Sequence, residues 1–166
     1  MRWIWIDKFI EFESGKRAVA LKNVTLAEEH LHDHFPGFPV MPESLCIEAM
    51  AQTAGILVGQ AKKFQEKVIL AKVKKAVFFD YVKPGDTILL DAKIESIAPE
   101  AASTSGRITR SDKLIAEIDL MFSHIDQNLA GKEFPEENFV FGTDTSVFQS
   151  LLRDVLAGAG TESEQD

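Results

Sequence analysis

Between Ser44 and Ala61 the chain carries a single charged residue, Glu48. Apolar positions 45, 46, 47, 49, 50, 51, 54, 56, 57, 58, 61 and 64 cover nearly the whole circumference of a helix read from about Ser44 to Phe64. A surface helix shows one apolar stripe, so a helix apolar on every side has to be surrounded by other elements. At about 1.5 Å per residue it runs roughly 30 Å. Pro42 stands just ahead of it, where a missing N–H costs little. Ser44, Glu48 and Gln52 recur every four residues and draw one narrow polar line along the rod.

The rest of the chain supplies strands. Residues 3–12 alternate Trp3 and Trp5 with Ile4 and Ile6 and continue through Phe9, Ile10 and Phe12. The turn Glu13-Ser14-Gly15-Lys16 leads into alternating residues 17–24, which predicts a hairpin. Thr25 is placed to cap a short helical turn over 25–30. Residues 68–79 are rich in β-formers, Lys83-Pro84-Gly85-Asp86 is a turn, and 87–97, 101–110 and 114–125 complete an antiparallel meander. One long helix against about six strands predicts an α+β fold in which the sheet wraps the helix. At the other end, 134–142 is irregular and aromatic. Thr145 or Ser146 caps a short amphipathic helix that ends at Gly158. The expected organisation is one α+β domain over 1–130, an extension over 131–158 packed on it, and a disordered tail over 159–166.

Composition narrows the setting. With 45% hydrophobic and 27% charged residues the chain reads as an ordinary soluble globular protein. One cysteine, Cys46, excludes an intrachain disulfide framework and predicts a reducing cytoplasm. Asp7 cuts the apolar start too short for a secretory signal. The uncharged run from Ala49 to Ala61 falls well short of the roughly 20 residues that cross a bilayer, so no membrane span is expected. A net charge of −8 argues against nonspecific nucleic-acid binding. The charge is uneven: residues 62–75 hold Lys62, Lys63, Lys67, Lys72, Lys74 and Lys75 against Glu66 alone. Such a basic island either attracts an acidic or phosphate-bearing partner or simply solubilises a helix end and an edge strand.

Chemistry-bearing residues cluster just before the helix. His30, His32 and His34 are spaced like metal ligands, but no Cys or His pair completes a zinc signature, and no metal or other cofactor is expected. No P-loop, Gly-x-Gly-x-x-Gly or Ser-His-Asp order is present. Cys46 near a helix start is either a thiolate nucleophile or a small core residue, and the core role is favoured. Glu48 is the sharper case. A carboxyl in an apolar helix needs a partner. It serves either a neighbouring backbone group or, beside a neutral histidine, as a general acid.

The run His34-Phe35-Pro36-Gly37-Phe38-Pro39-Val40-Met41-Pro42, followed by Glu48-Ala49-Met50-Ala51-Gln52-Thr53-Ala54-Gly55, closely resembles the 3-hydroxyacyl-[acyl-carrier-protein] dehydratases of hot-dog fold. The resemblance reaches Lys83-Pro84-Gly85-Asp86 and covers roughly residues 5–125. It implies an antiparallel sheet around one central helix, and homodimers joining two sheets edge to edge, with further assembly into trimers of dimers left open. It also implies that the histidine and carboxylate of each site come from different subunits. Carried over, His34 is the base that takes the α-proton of a 3-hydroxyacyl thioester, and Glu48 protonates the departing 3-hydroxyl. Gly37, Val40, Glu43, Ser44 and Gln52 are the expected substrate-side or supporting residues: Val40 orients His34 through its carbonyl, and Gln52 supports Glu48. The acyl group would ride on an acyl carrier protein or coenzyme A. One departure stands out. Where the family pattern has glycine directly after Pro42, this sequence has Glu43, which keeps the N–H but brings a negative side chain toward the thioester oxygen. Two rivals therefore stand beside the dehydratase: an acyl-thioester-binding protein with weak or no catalysis, and a hot-dog thioesterase in which Glu48 assists a water.

Overall fold

A computed structural model describes residues 4–65, 67–125, 128–129, 132–133, 150–151 and 155. Its strands are β1 (Lys8–Glu13), β2 (Arg17–Asn23), β3 (Lys67–Phe78), β4 (Thr87–Ile97), β5 (Ala101–Arg110) and β6 (Lys113–Ile125), with a two-residue pair β7 (Asn128–Leu129) and β8 (Lys132–Glu133). Two helices, α1 (His30–Asp33) and α2 (Glu43–Ala61), fall between β2 and β3. β1 to β6 form one antiparallel sheet in the order β1-β2-β4-β5-β6-β3.

α2 lies in the wall that its composition demands. Cys46, Ala49 to Ala54 and Ile56 to Gly59 are all buried. The facing side of the sheet alternates as a half-buried strand must: Ile88, Leu90 and Ala92 on β4, Ala102 and Ile108 on β5, Ile118, Leu120 and Phe122 on β6. Each large aliphatic chain sealed in this way contributes about 1.5–3 kcal/mol. Helix and sheet approach closely at Gly106 of β5, where a Cβ would come within 2.5 Å of Met50 Sδ. The β5–β6 hairpin closes on Ser111 and Asp112, both left-handed (φ 47° and 68°), the backbone a two-residue hairpin requires.

The expected meander is only partly realised. β4, β5 and β6 are consecutive neighbours, but β3 lies beyond β6 at the far edge. The chain leaves one edge region after β2, crosses with α2, and re-enters the sheet at the other. The first strand begins at Lys8, later than residue 3: Asp7 N–H still reaches Leu21 O of β2 at 2.8 Å, but Trp5 N–H turns away to a side chain of α2. The helical turn expected over 25–30 begins later, at His30. Thr25 and Glu28 are still linked, Thr25 N–H donating to Glu28 Oε1 (3.0 Å) and Glu28 N–H to Thr25 O (3.0 Å), while Thr25 Oγ1 accepts from Ala27 N–H (3.3 Å).

Leu151 belongs to the buried core and Val155 packs against it. The aromatic segment 134–142, the remainder of the expected C-terminal helix and the tail 159–166 lie outside the described residues. Among the described residues no helix is long and apolar enough to cross a membrane.

Candidate active site

α1 ends at Asp33, and His34 begins a loop that folds back on itself. Val40 N–H donates to His34 O at 2.9 Å, Phe35 and Phe38 exchange two backbone bonds at 3.0 and 2.9 Å, and Met41 N–H reaches Val82 O at 2.8 Å. Gly37 supplies the positive φ of +76° inside the Phe35–Phe38 turn, with nothing within 4 Å of its missing side chain. The His34–Phe35 peptide is cis, and the two rings stack at 4.1 Å. His34 Nδ1 lies 2.9 Å from Val40 O. A carbonyl only accepts, so Nδ1 carries the hydrogen and in the neutral ring Nε2 holds the lone pair.

α2 starts immediately after. Pro42 caps it, its carbonyl accepting from Leu45 (2.9 Å) and Cys46 (3.2 Å). The N–H groups of Glu43 and Ser44 have no acceptor among the described residues and point out of the positive end of a 19-residue helix. Both side chains are exposed. One turn on, Glu48 is half-buried. Its Oε1 accepts from Gln52 Nε2 at 3.0 Å, and Gln52 Oε1 in turn accepts from Trp5 N–H at 2.8 Å. Glu48 Oε2 has no hydrogen-bond partner among the described residues. Within the chain, and among the described residues, no hydrogen bond or ion pair joins His34 to Glu48.

The other histidines are committed elsewhere. His32 Nε2 sits 2.9 Å from Leu26 O, and His30 packs edge-on against the Trp5 indole at 5.3 Å. Burial lowers the His30 pKa, outweighing the pull of Glu28. Among the described residues no three His, Cys, Asp or Glu side chains converge as metal ligands. Burial pushes the Cys46 thiol up to about 12, which keeps it protonated and removes it as a nucleophile.

Two supports had no sequence signature. One is the main-chain N–H of Trp5 on Gln52. The other is Arg110, which bonds Tyr81 O (2.9 Å), Asp86 (2.7 Å) and Asp80 (2.8 Å), while Lys113 adds a second bond to Asp80 at 2.7 Å. This knot holds the segment whose Val82 carbonyl anchors Met41. It also sets Tyr81 edge-on against Phe38 at 5.8 Å and leaves Lys83 Nζ 4.7 Å from the Phe38 ring. The Lys-Pro-Gly-Asp turn was legible, but its attachment to the histidine loop is long-range.

A six-stranded antiparallel sheet packed on a central helix, with a histidine loop feeding the helix start, defines a hot-dog protein. Solved structures bear out that fold. The dehydratase heterocomplex ApeI:P from Xenorhabdus doucetiae superposes with a TM-score of 0.62 at 15% identity, covering 75% of this chain and 84% of that one. A Streptococcus mutans protein bound to acetyl CoA gives 0.61 at 16% identity, covering 75% and 93%. The FabA-like domain family matches residues 3–119, and the chain belongs to it. Relatives within it include the 3-hydroxyacyl-[acyl-carrier-protein] dehydratase FabZ of Caldanaerobacter subterraneus, 39% identical over 121 residues, 72% of this chain and 86% of the relative. The enzyme of the same name from Listeria monocytogenes is 37% identical over 125 residues, covering 75% and 87%.

Proposed function

We propose that this protein dehydrates 3-hydroxyacyl thioesters of an acyl carrier protein to trans-2-enoyl thioesters in fatty-acid biosynthesis. The observation that carries the reading is the His34 ring held through Nδ1 by Val40 O, which leaves Nε2 to act as the base. His34 Nε2 takes the α-proton, Glu48 Oε2 protonates the 3-hydroxyl, the C–O bond breaks, and water leaves as the double bond forms. Charge that gathers on the thioester oxygen meets the Glu43 and Ser44 N–H groups at the start of α2. Afterwards His34 is protonated and Glu48 ionised, and exchange with water resets both.

The site is built by two chains, His34 from one and Glu48 from the other. Support comes from the lack, among the described residues, of a hydrogen bond or ion pair between the two within one chain, and from β3. That strand is 12 residues long, stands at the sheet edge and exposes Leu70, Val73 and Val77. A long strand with one edge unpaired in the sheet is a template for pairing with a second copy. The exposed rings of Phe35, Phe38 and Tyr81 give the histidine loop an apolar rim suited to the same partner. The lysines of 62–75 offer the acidic carrier, or the phosphates of coenzyme A, a place to dock.

The test is enoyl-thioester formation from 3-hydroxyacyl substrates on carrier protein and on coenzyme A. Wild type should act, with carrier substrates preferred, and His34→Ala and Glu48→Gln should each lose activity. Full activity in either variant overturns the assignment. Hydrolysis of the thioester without dehydration would establish the thioesterase instead.

A further inference from the structure

Trp5 lies ahead of the first strand, yet its main chain reaches the polar line of α2. Its N–H donates to Gln52 Oε1 across 2.8 Å. An N–H can only donate, so this contact decides which end of the Gln52 amide faces Trp5 and turns the Nε2 hydrogens the other way. There Nε2 donates to Glu48 Oε1 across 3.0 Å. Gln52 is 6% exposed, so little water competes for either bond. The Trp5 N–H thereby opposes a flip that would present the amide oxygen to Glu48. Two oxygens can approach only with a proton between them, so the flipped amide would either repel the carboxylate or hold its proton on Oε1. Trp5 itself is fixed from two sides: its indole meets the His30 ring at 5.3 Å, and Lys22 Nζ lies 5.5 Å from its centroid.

We infer that the main-chain N–H of Trp5 is a positioning group for the acid. By setting the Gln52 amide it reserves Glu48 Oε2 for the proton delivered to the 3-hydroxyl. The inference rests on the dehydratase reading, in which each site takes Glu48 and His34 from different chains.

The experiment uses a mixed dimer of a His34→Ala chain and a Glu48→Gln chain, separated by two affinity tags. Its one intact site takes Glu48 from the His34→Ala chain. Trp5→Pro, which deletes the N–H, or Trp5→Phe, which keeps it, is then placed in one chain or the other. In the chain that supplies Glu48, Trp5→Pro should give a kcat about tenfold below that of Trp5→Phe with KM little changed. In the chain that supplies His34, the two variants should give similar rates. Equal losses in either chain would mark a general packing effect and overturn the inference, as would no loss in either. If Trp5→Pro fails to assemble, an amide-to-ester replacement at Trp5 removes the N–H alone and is judged by the same comparison. A mixed dimer already inactive before any change at Trp5 brings down the two-chain site, and the inference with it.

Discussion

His34 Nδ1 lies 2.9 Å from the carbonyl oxygen of Val40, six residues along the same loop. Because that oxygen can only accept, the bond selects one tautomer of the neutral ring, and in the proposed reaction Nε2 offers substrate a lone pair rather than a hydrogen. The first prediction follows directly. Nitrogen-15 NMR of the neutral imidazole should show Nδ1 protonated and Nε2 bare. His34→Ala should lower kcat by about 10²–10⁴, the usual worth of a positioned base. The opposite tautomer would sink the assignment.

Glu43 stands where the family pattern has glycine. Its exposed side chain belongs to the helix start whose N–H groups are proposed to meet the thioester oxygen, and a negative charge there would oppose the charge that develops. Glu43→Gly should raise kcat by up to about tenfold, Glu43→Gln should recover part of that gain, and added salt should shrink the difference. A fall in rate with Glu43→Gln would mean that the charge assists the reaction.

Asp80 gives a pH signature. Its carboxyl is held down to about 2 from 3.8, chiefly by the Lys113 hydrogen bond, then by the Tyr81 N–H and by Lys113 and Arg110 charge, against some desolvation. A carboxyl depressed in the folded state stabilises it above its unfolded pKa, and that contribution is lost as pH falls through the folded value. Asp80→Asn should therefore melt below the parent at neutral pH, with the gap closing between 3.8 and about 2. A gap that stays constant across that window would contradict the knot around Arg110.

Gly106 tests the packing of helix on sheet. A valine there puts Cβ within 2.5 Å of Met50 Sδ, so the methionine side chain has to move aside. Gly106→Val should cost about 1–3 kcal/mol, read as a lower urea midpoint at unchanged m.

Much of this was legible in the sequence because it is local. An all-round apolar helix has to be enclosed, and Ala49 to Ala54 and Ile56 to Gly59 are. The i, i+4 spacing of Glu48 and Gln52 places one above the other, and they are bonded. What escaped is long-range. Strand order is decided by which edge the chain reaches after α2, so alternation within residues 68–79 could not place β3 beside β6. Trp5 read as a strand residue from its side-chain pattern, whereas its role lies in a backbone N–H, which every residue but proline has. Arg110 carried no mark separating it from any other surface arginine until Asp80 and Asp86 were brought to it.

The central claim is that one site draws its base and its acid from two chains. Co-expressing His34→Ala with Glu48→Gln tests it most directly. Each variant alone should be inactive. Random pairing should restore about one quarter of wild-type turnover, since half of the dimers carry one intact site of two. Activity no higher than that of the two separate variants, in preparations where mixed dimers are demonstrably present, would contradict the account.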